Sequence, residues 1–560
     1  MKKRLIPVAV AVVLIVIVLG IGLLSSVLEK YSYSKERADL NSYFGVSGGE
    51  DAAIILNDEL SETKAIYRDG QCYFSIDFVN EQINDHFYYD MKESLVLFTN
   101  DYDKVMTQVG STDFTVSDTF TSESYVLTIK VNDTVYLSAD FLKNFCNFAY
   151  EYFPDPNRIV LTTSWDVDTY AQVKKDTQIR VLGGIKSEIL ADVEKGTKVE
   201  VLQEMETWSE VKTLDGVIGY IENKHLENQE EVTAVPVTDV PIPEYASIKH
   251  EGKICLVWNQ VTNTTANGNA AGLLESTQGI NVISPTWFSL VDEEGNFTSL
   301  ADAAYVQDMH ARGIQVWAAV DNFNNDPMLR TAEVVNVTSH RTKLINDLIN
   351  TVLSYGIDGI NVDFEAVPEK AADGYIQFLR ELSIECRKHG IVLSVDNSSL
   401  VSYDRAKQGE VVDYVIIMGY DEHAVAADGP GSVASIEFVR KGIERTLEVV
   451  PEEKVINGIP FYTRVWTTTG DIGNDAYTMG GIQNYLAEHS IQTQWDDTVC
   501  QYTAQYEIDG TGYALWVEDK ESLTVKLSVM SQYQLAGVAC WRLGQETPDV
   551  WESINAYLQQ

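Results

Sequence analysis

Cysteine is scarce: only Cys72, Cys146, Cys255, Cys386, Cys500 and Cys540 occur among 560 residues. They lie far apart, form no CxxC pair and match no zinc spacing, so neither a metal ribbon nor a disulfide framework is expected. Several sit inside apolar runs, where a thiol behaves as a small hydrophobe. A Cys72–Cys146 bridge stays open only for an oxidising compartment. Positive charge is scarce too. Lys plus Arg number 41 against 83 Asp plus Glu, a formal charge of −42. Such a surface repels phosphate backbones, which argues against any nucleic-acid partner. The eight histidines are scattered. No glycine-rich phosphate loop, Ser-His-Asp order or histidine ligand spacing is present, and no metal or cofactor is expected.

What is there points to several domains. The chain is 45% hydrophobic and too long for one core, so three or four units are expected. Met1-Lys-Lys-Arg4 precedes an uncharged run from Leu5 to Leu28, long enough to span a bilayer. Residues 1–30 therefore read as a basic cytoplasmic end and a transmembrane anchor, with the rest of the chain outside the cell membrane. A cleaved signal peptide is the competing reading, but no small-x-small site stands out after the run.

Residues 50–165 carry an internal repeat. Tyr73-Phe-Ser-Ile-Asp-Phe-Val79 matches Tyr136-Leu-Ser-Ala-Asp-Phe-Leu142, and Ser94-Leu-Val-Leu97 matches Arg158-Ile-Val-Leu161. Each copy reads as strand, short helix, strand, a duplicated α+β module that stacks into one core. It resembles the N-terminal module of copper amine oxidases, without a histidine cluster for copper. Residues 168–226 hold short Val/Ile-rich strands and glycine turns, which suit a small β-barrel. The run from Trp208 through Gly216, Gly219 and Tyr220 resembles a bacterial SH3-like domain. That resemblance implies contact with cell-wall peptides, or a mere spacer. Residues 229–247, with Pro236, Pro241 and Pro243, read as an extended linker.

From 250 to 557 strand and helix patterns alternate. Eight apolar strands are predicted: Ile254–Val257, Ile280–Phe288, Ile314–Val320, Gly359–Phe364, Ile391–Val395, Val412–Tyr420, Lys454–Phe461 and Gly537–Trp541. Eight such alternations predict an α/β fold, a (β/α)8 TIM barrel. The long gap before the last strand predicts a small inserted α+β subdomain at about 466–533, with an aromatic hairpin around Asp509-Gly510. Its Trp495, Tyr506, Tyr513 and Trp516 are candidate sugar-stacking groups.

The fourth strand organises the rest. In Asp358-Gly-Ile-Asn-Val-Asp-Phe-Glu365, Ile360, Val362 and Phe364 alternate with Asn361, Asp363 and Glu365. Alternation puts the three polar groups on one face. Two buried carboxylates there are costly unless paired or put to use; a structural ion-pair cluster is the bland reading, catalysis the favoured one. The other strand ends supply Trp287, Asp321 with Asn322, Met418 with Tyr420 and Asp421, Tyr462, and Trp541. Aromatic walls around carboxylates describe a sugar site.

Asp358-x-x-Asn-x-Asp-x-Glu365 resembles the DxxDxDxE signature of glycoside hydrolase family 18, the chitinase family. Met418-x-Tyr420-Asp421, Gly458-Ile-Pro-Phe-Tyr462 and Trp541 reinforce the likeness. The loop wording is closest to the bacterial branch of spore-cortex N-acetylglucosaminidases. The resemblance implies that Glu365 protonates the leaving oxygen. Asp363 and Tyr420 would hold the substrate's 2-acetamido group, whose oxygen attacks the anomeric carbon. Trp541 would floor the sugar site and Asp421 bind hydroxyls, with Met418, Tyr462, Asn361 and Trp287 as further substrate-binding groups. One departure stands: the signature's middle Asp is Asn361, whose amide is expected to steady Asp363 by a hydrogen bond. The implied function is a membrane-anchored hydrolase of β-1,4 bonds in an N-acetylglucosamine polymer, peptidoglycan first. Exogenous chitin and a silent sugar-binding protein are the alternatives.

Overall fold

In a computed structural model of the chain, residues 5–235, 240–323, 327–365, 367–398 and 403–560 are described. Two compact units emerge: residues 1–89 with 106–242, and 90–105 with 243–560. Lys2-Lys3-Arg4 and Pro236 lie outside the described residues.

The first unit begins with one helix, Leu5–Tyr31. At 1.5 Å per residue it is about 40 Å long, more than a bilayer's hydrocarbon core needs. From Val8 on, its apolar side chains are exposed rather than packed on protein. The stretch after it adds to a sheet edge: Ser34 N–H donates to Ile185 O at 2.7 Å and Ile189 N–H to Glu36 O at 2.8 Å.

The single core expected for residues 50–165 is corrected: Leu95–Thr99, the closing strand of the first repeat, lies in a separate five-stranded sheet, and residues 90–105 group with the second unit. Only the opening strands of the two repeats are direct neighbours. Gln71–Ser75 pairs antiparallel with Thr134–Ser138 in a seven-stranded sheet. Cys72 and Cys146 are both buried. Burial pushes each thiol up to about 12. The small β-domain arranges seven strands between Val167 and Thr233 in one sheet around Val173, Ile179, Val193, Val199, Val211 and Ile221. Its last strand, Leu226–Thr233, pairs with Val167–Val173. The expected linker start at 229 is thereby corrected: residues 229–233 are strand, because their backbone continues the antiparallel ladder with Val167–Tyr170 although their side chains are exposed.

The second unit is a closed parallel barrel. Its strands are β1 (Ile254–Asn259), β2 (Val282–Leu290), β3 (Gln315–Asp321), β4 (Gly359–Asp363), β5 (Val392–Ser398), β6 (Tyr414–Met418), β7 (Val455–Pro460) and β8 (Gly537–Trp541). Each pairs in parallel with the next, and β8 closes on β1. Gly359 opens β4 because a Cβ there would lie 2.7 Å from the Trp317 ring. The predicted strands and barrel order stand; the fold is a (β/α)8 barrel.

The insertion has different limits from those expected. It is an antiparallel five-stranded sheet running from Tyr462 to Val517, with one helix, Met479–Glu488, and a core of Val465, Ile482, Ala504, Leu515 and Val517. The hairpin turns at Asp509-Gly510, both at positive φ (49° and 80°), the backbone that a two-residue turn between twisted strands requires. The following helix, Lys520–Met530, belongs to the barrel: Leu523, Leu527 and Met530 join the barrel core.

Candidate active site

A cavity of about 200 Å³ opens at the C-terminal ends of the barrel strands, where such barrels place their chemistry. It is lined by Trp258, Phe323, Asp363, Glu365, Asp396, Ser398, Met418, Tyr420, Asp421 and Trp541. A larger groove of about 560 Å³ lies on the small β-domain of the first unit, around Tyr33, Arg180, Trp208 and Glu222. It holds none of the strand-end acids, so the smaller cavity is the chemical site.

Under its floor sits Asn361, fully buried. Its Oδ1 accepts from Trp258 Nε1 on β1 and Ser284 Oγ on β2, both at 3.0 Å. Its Nδ2 donates to Ser394 Oγ at 3.1 Å and Asp396 Oδ1 at 2.8 Å, both on β5. All four bonding positions of the amide are used. This corrects the expected role of Asn361, which neither binds substrate nor steadies Asp363. Residues i and i+2 of a strand stand roughly 6–7 Å apart, too far for a direct bond, whereas the adjacent strand is within reach.

The carboxylates above it crowd together. Burial first, then the charges of Asp396, Glu365 and Asp321, push the Asp363 carboxyl well above its ordinary range. Glu365 is raised by burial and then by the charges of Asp421 and Asp321. Asp396 is pushed up to about 8, chiefly by burial, against the pull of the Asn361 amide. Desolvation disfavours the charged form and neighbouring like charges add to it. Glu365 is set by its backbone: its N–H donates to Asn322 Oδ1 at 3.1 Å, and Asn322 Nδ2 returns a bond to Glu365 O at 2.8 Å. Asp321 is occupied by Ser289 Oγ at 2.8 Å and the Phe323 N–H at 3.1 Å.

Aromatic rings complete the walls. Trp541 lies against Tyr420 with ring centroids 6.5 Å apart and planes 28° apart, and against Trp258 at 5.8 Å. Asp421, at φ 59°, accepts from Tyr462 Oη at 2.5 Å and from Arg464 Nη2 at 2.9 Å. Tyr462 itself is buried behind Asp421 rather than lining the cavity.

A family model described as "Glycosyl hydrolases family 18" matches residues 217–546, more than half of the chain. The chain belongs to glycosyl hydrolase family 18. It is thus a glycoside hydrolase, and a second model, "Bacterial SH3 domain", matches residues 175–227 of it. A Bacillus subtilis protein, named provisionally as the sporulation-specific glycosylase YdhD, is 30% identical over 271 residues, 45% of this chain and 63% of that protein. The cortical fragment-lytic enzyme of the same organism is 25% identical over 232 residues, 39% of this chain and 54% of that enzyme. The match thus spans less than two thirds of either relative. A chitinase structure from Chromobacterium violaceum superposes with a TM-score of 0.50 at 23% identity, over 55% of this chain and 99% of that one; it speaks for the fold alone.

Within this family 18 site, Asp363, Glu365, Met418, Tyr420, Asp421 and Trp541 come together as lining groups. Trp287 does not, and its substrate-binding role is corrected. It is buried, donates Nε1–H to Asn267 Oδ1 at 2.9 Å and packs edge-on against Tyr305. Trp287 sits at a β-bulge in β2, between Thr286 and Phe288, and its ring packs on Tyr305 in the helical layer. The insertion's aromatics are self-engaged as well. Tyr506 stacks on Tyr513 at 5.4 Å, and Trp495 Nε1–H bonds Asp497. The insertion touches the site through Arg464 instead.

Four lining groups escaped the sequence reading: Trp258 on β1, Phe323 just past β3, and Asp396 and Ser398 on β5. The ends of β1 and β5 carry a signal, since Trp258-Asn259 and Ser394-Val-Asp396-Asn-Ser398 break otherwise apolar runs.

Proposed function

We propose that this family 18 enzyme is a membrane-anchored, outward-facing hydrolase of N-acetylglucosamine-containing polymer, peptidoglycan first, acting with retention of configuration through the substrate's own acetamido group. The observation that carries the reading is the placement of Asp363 at the end of β4 and Glu365 two residues beyond it, both lining one aromatic-walled cavity. They act from one side of a bound sugar. A two-carboxylate mechanism flanks the scissile bond instead, and family 18 is a recognised exception to it. The other acids are poor nucleophile candidates: Asp421 is engaged by Tyr462 and Arg464, and Asp321 by Ser289. Glu365, raised by burial and neighbouring charge, suits a general acid. Asp363 and Tyr420 hold the acetamido group, Trp541 supports the sugar ring, and Asp421 takes its hydroxyls.

The helix Leu5–Tyr31 serves as the anchor, and the SH3-like domain contacts wall peptides. The named activities of the Bacillus relatives support a wall substrate. Digestion of purified peptidoglycan and of chitin oligomers by the full-length chain, with fragments identified by mass, tests the substrate. Muropeptides ending in N-acetylglucosamine are expected. Cleavage of chitin alone points to an exogenous polymer, and tight binding without any cleavage rejects the hydrolytic reading. Membrane fractionation with protease added outside intact cells tests the anchor; a soluble product starting near residue 30 overturns it.

A further inference from the structure

Asp363 Oδ1 and Asp396 Oδ2 are both buried and both without a hydrogen-bond partner. The two residues belong to neighbouring strands. Asn361 is in register with Ser394 and Val362 with Val395, so one step further sets Asp363 beside Asp396. Adjacent strands run about 4.8 Å apart, and both carboxyls line the same cavity. Neither has a cation among the described residues. Asn361 occupies Asp396 Oδ1 and leaves Oδ2 unpaired. Two carboxylates so close in a desolvated site cannot both ionise cheaply, and one proton held between them removes the repulsion.

We infer that Asp396 is a positioning residue that shares a single proton with Asp363, keeping that proton when Asp363 turns its charged oxygen to the substrate. The balance is simple. The resting pair carries one proton and one negative charge. When an acetamido N–H donates to Asp363, the proton rests on Asp396, and nothing is gained or lost by the pair. Asn361 belongs to the same device: its amide donates to Asp396, where an aspartate would add a third carboxylate. The other titratable groups facing the pair are Glu365 just past β4, Asp321 at the end of β3, and the hydroxyls of Tyr375, Tyr403 and Tyr420. All are acidic or neutral, so none supplies a compensating positive charge. Asp396 lies outside the fourth-strand motif; its carboxyl stands on the neighbouring strand.

This inference rests on the proposed role of Asp363, and its test separates the two. In full-length protein labelled with 13C-aspartate, infrared spectra at pH 7.5 are expected to show a protonated aspartate band in the wild type and none in Asp396→Asn. With an aryl oligomer of N-acetylglucosamine as probe, Asp396→Asn lowers kcat on the order of 10-fold with KM little changed. That is less than the ~10²–10³-fold cost of removing a group that touches the developing charge. The double variant N361D/D396N moves the carboxyl back to β4, reverses the donor and acceptor, and is expected to restore both the band and most of kcat. No merely structural role for Asp396 predicts that rescue. A wild-type spectrum without the band, or a band that survives Asp396→Asn, overturns the inference, and the first of these needs no folded variant. A chain that keeps the band yet cleaves no N-acetylated sugar overturns the functional proposal alone.

Discussion

The barrel buries acids in two different ways, and the contrast separates scaffold from site. Glu381 accepts from Arg341 Nε at 3.0 Å and from Gln377 Nε2 at 3.1 Å, with Lys104 Nζ at 3.3 Å. Its carboxyl is held below the ordinary range despite full burial, because the two cations outweigh desolvation. Glu518 has one cation, Lys526 at 3.0 Å, with Ser522 and Gln501 as further donors. There burial wins and pushes it up to about 7. Asp363, Asp396 and Glu365 have no cation among the described residues and line one cavity. A scaffold acid is neutralised by its neighbours; these three are left for a proton or a ligand to neutralise. Perturbed acids that lack partners and share a cleft mark function.

The comparison breaks most visibly at Lys526. Lys526→Met strands Glu518 in the core and is expected to cost about 3–5 kcal/mol of stability, with kcat of the folded fraction unchanged; denaturant unfolding measures it. Equal loss of kcat would erase the distinction between the two kinds of acid. Glu365→Gln should do the opposite, lowering turnover on the order of 10²-fold or more, the scale of a lost general acid, while the unfolding midpoint stays put.

Asp421→Asn sharpens the electrostatic side. As the proposed acid, Glu365 has to be protonated to act, so activity is expected to fall as pH rises through its raised value. Asp421 is the leading charge behind that rise after burial. Removing it lowers the Glu365 value and moves the alkaline limb of kcat/KM to lower pH, by no more than about one unit. A limb that stays in place or moves to higher pH would contradict the assignment of Glu365 as acid. The smallest effect concerns the insertion. Tyr506→Phe removes a 2.9 Å bond to the Tyr485 hydroxyl and should cost about 1 kcal/mol of stability. KM for long oligomers should not change, since this ring stacks on Tyr513 rather than on sugar; a KM rise would reinstate it as a binding group.

Much of this was legible before any coordinates. The eight strands announced themselves because parallel strands covered on both faces read as apolar runs. Asp363 and Glu365 stood out because charge inside such a run is expensive. The Asp509-Gly510 turn was visible because few residue pairs tolerate that backbone. Trp287 was misplaced for a different reason. A strand end lists residues without saying which point inward, and only the strand pairing reveals the β-bulge of β2 at this residue. The helix at Lys520–Met530 was assigned to the insertion because chain order hides which sheet a helix covers.

The sequence by itself determined the barrel, the SH3-like strands, the apolar N-terminal helix and the acidic fourth strand. Each follows from local periodicity or from a residue type that is costly in its place. Tertiary structure alone decided what Asn361 bonds, that Asp396 stands beside Asp363, and that Arg464 rather than an aromatic links the insertion to the site. Those pairings cross between strands far apart in the chain. Register and pleat phase set them, and no local pattern encodes either one.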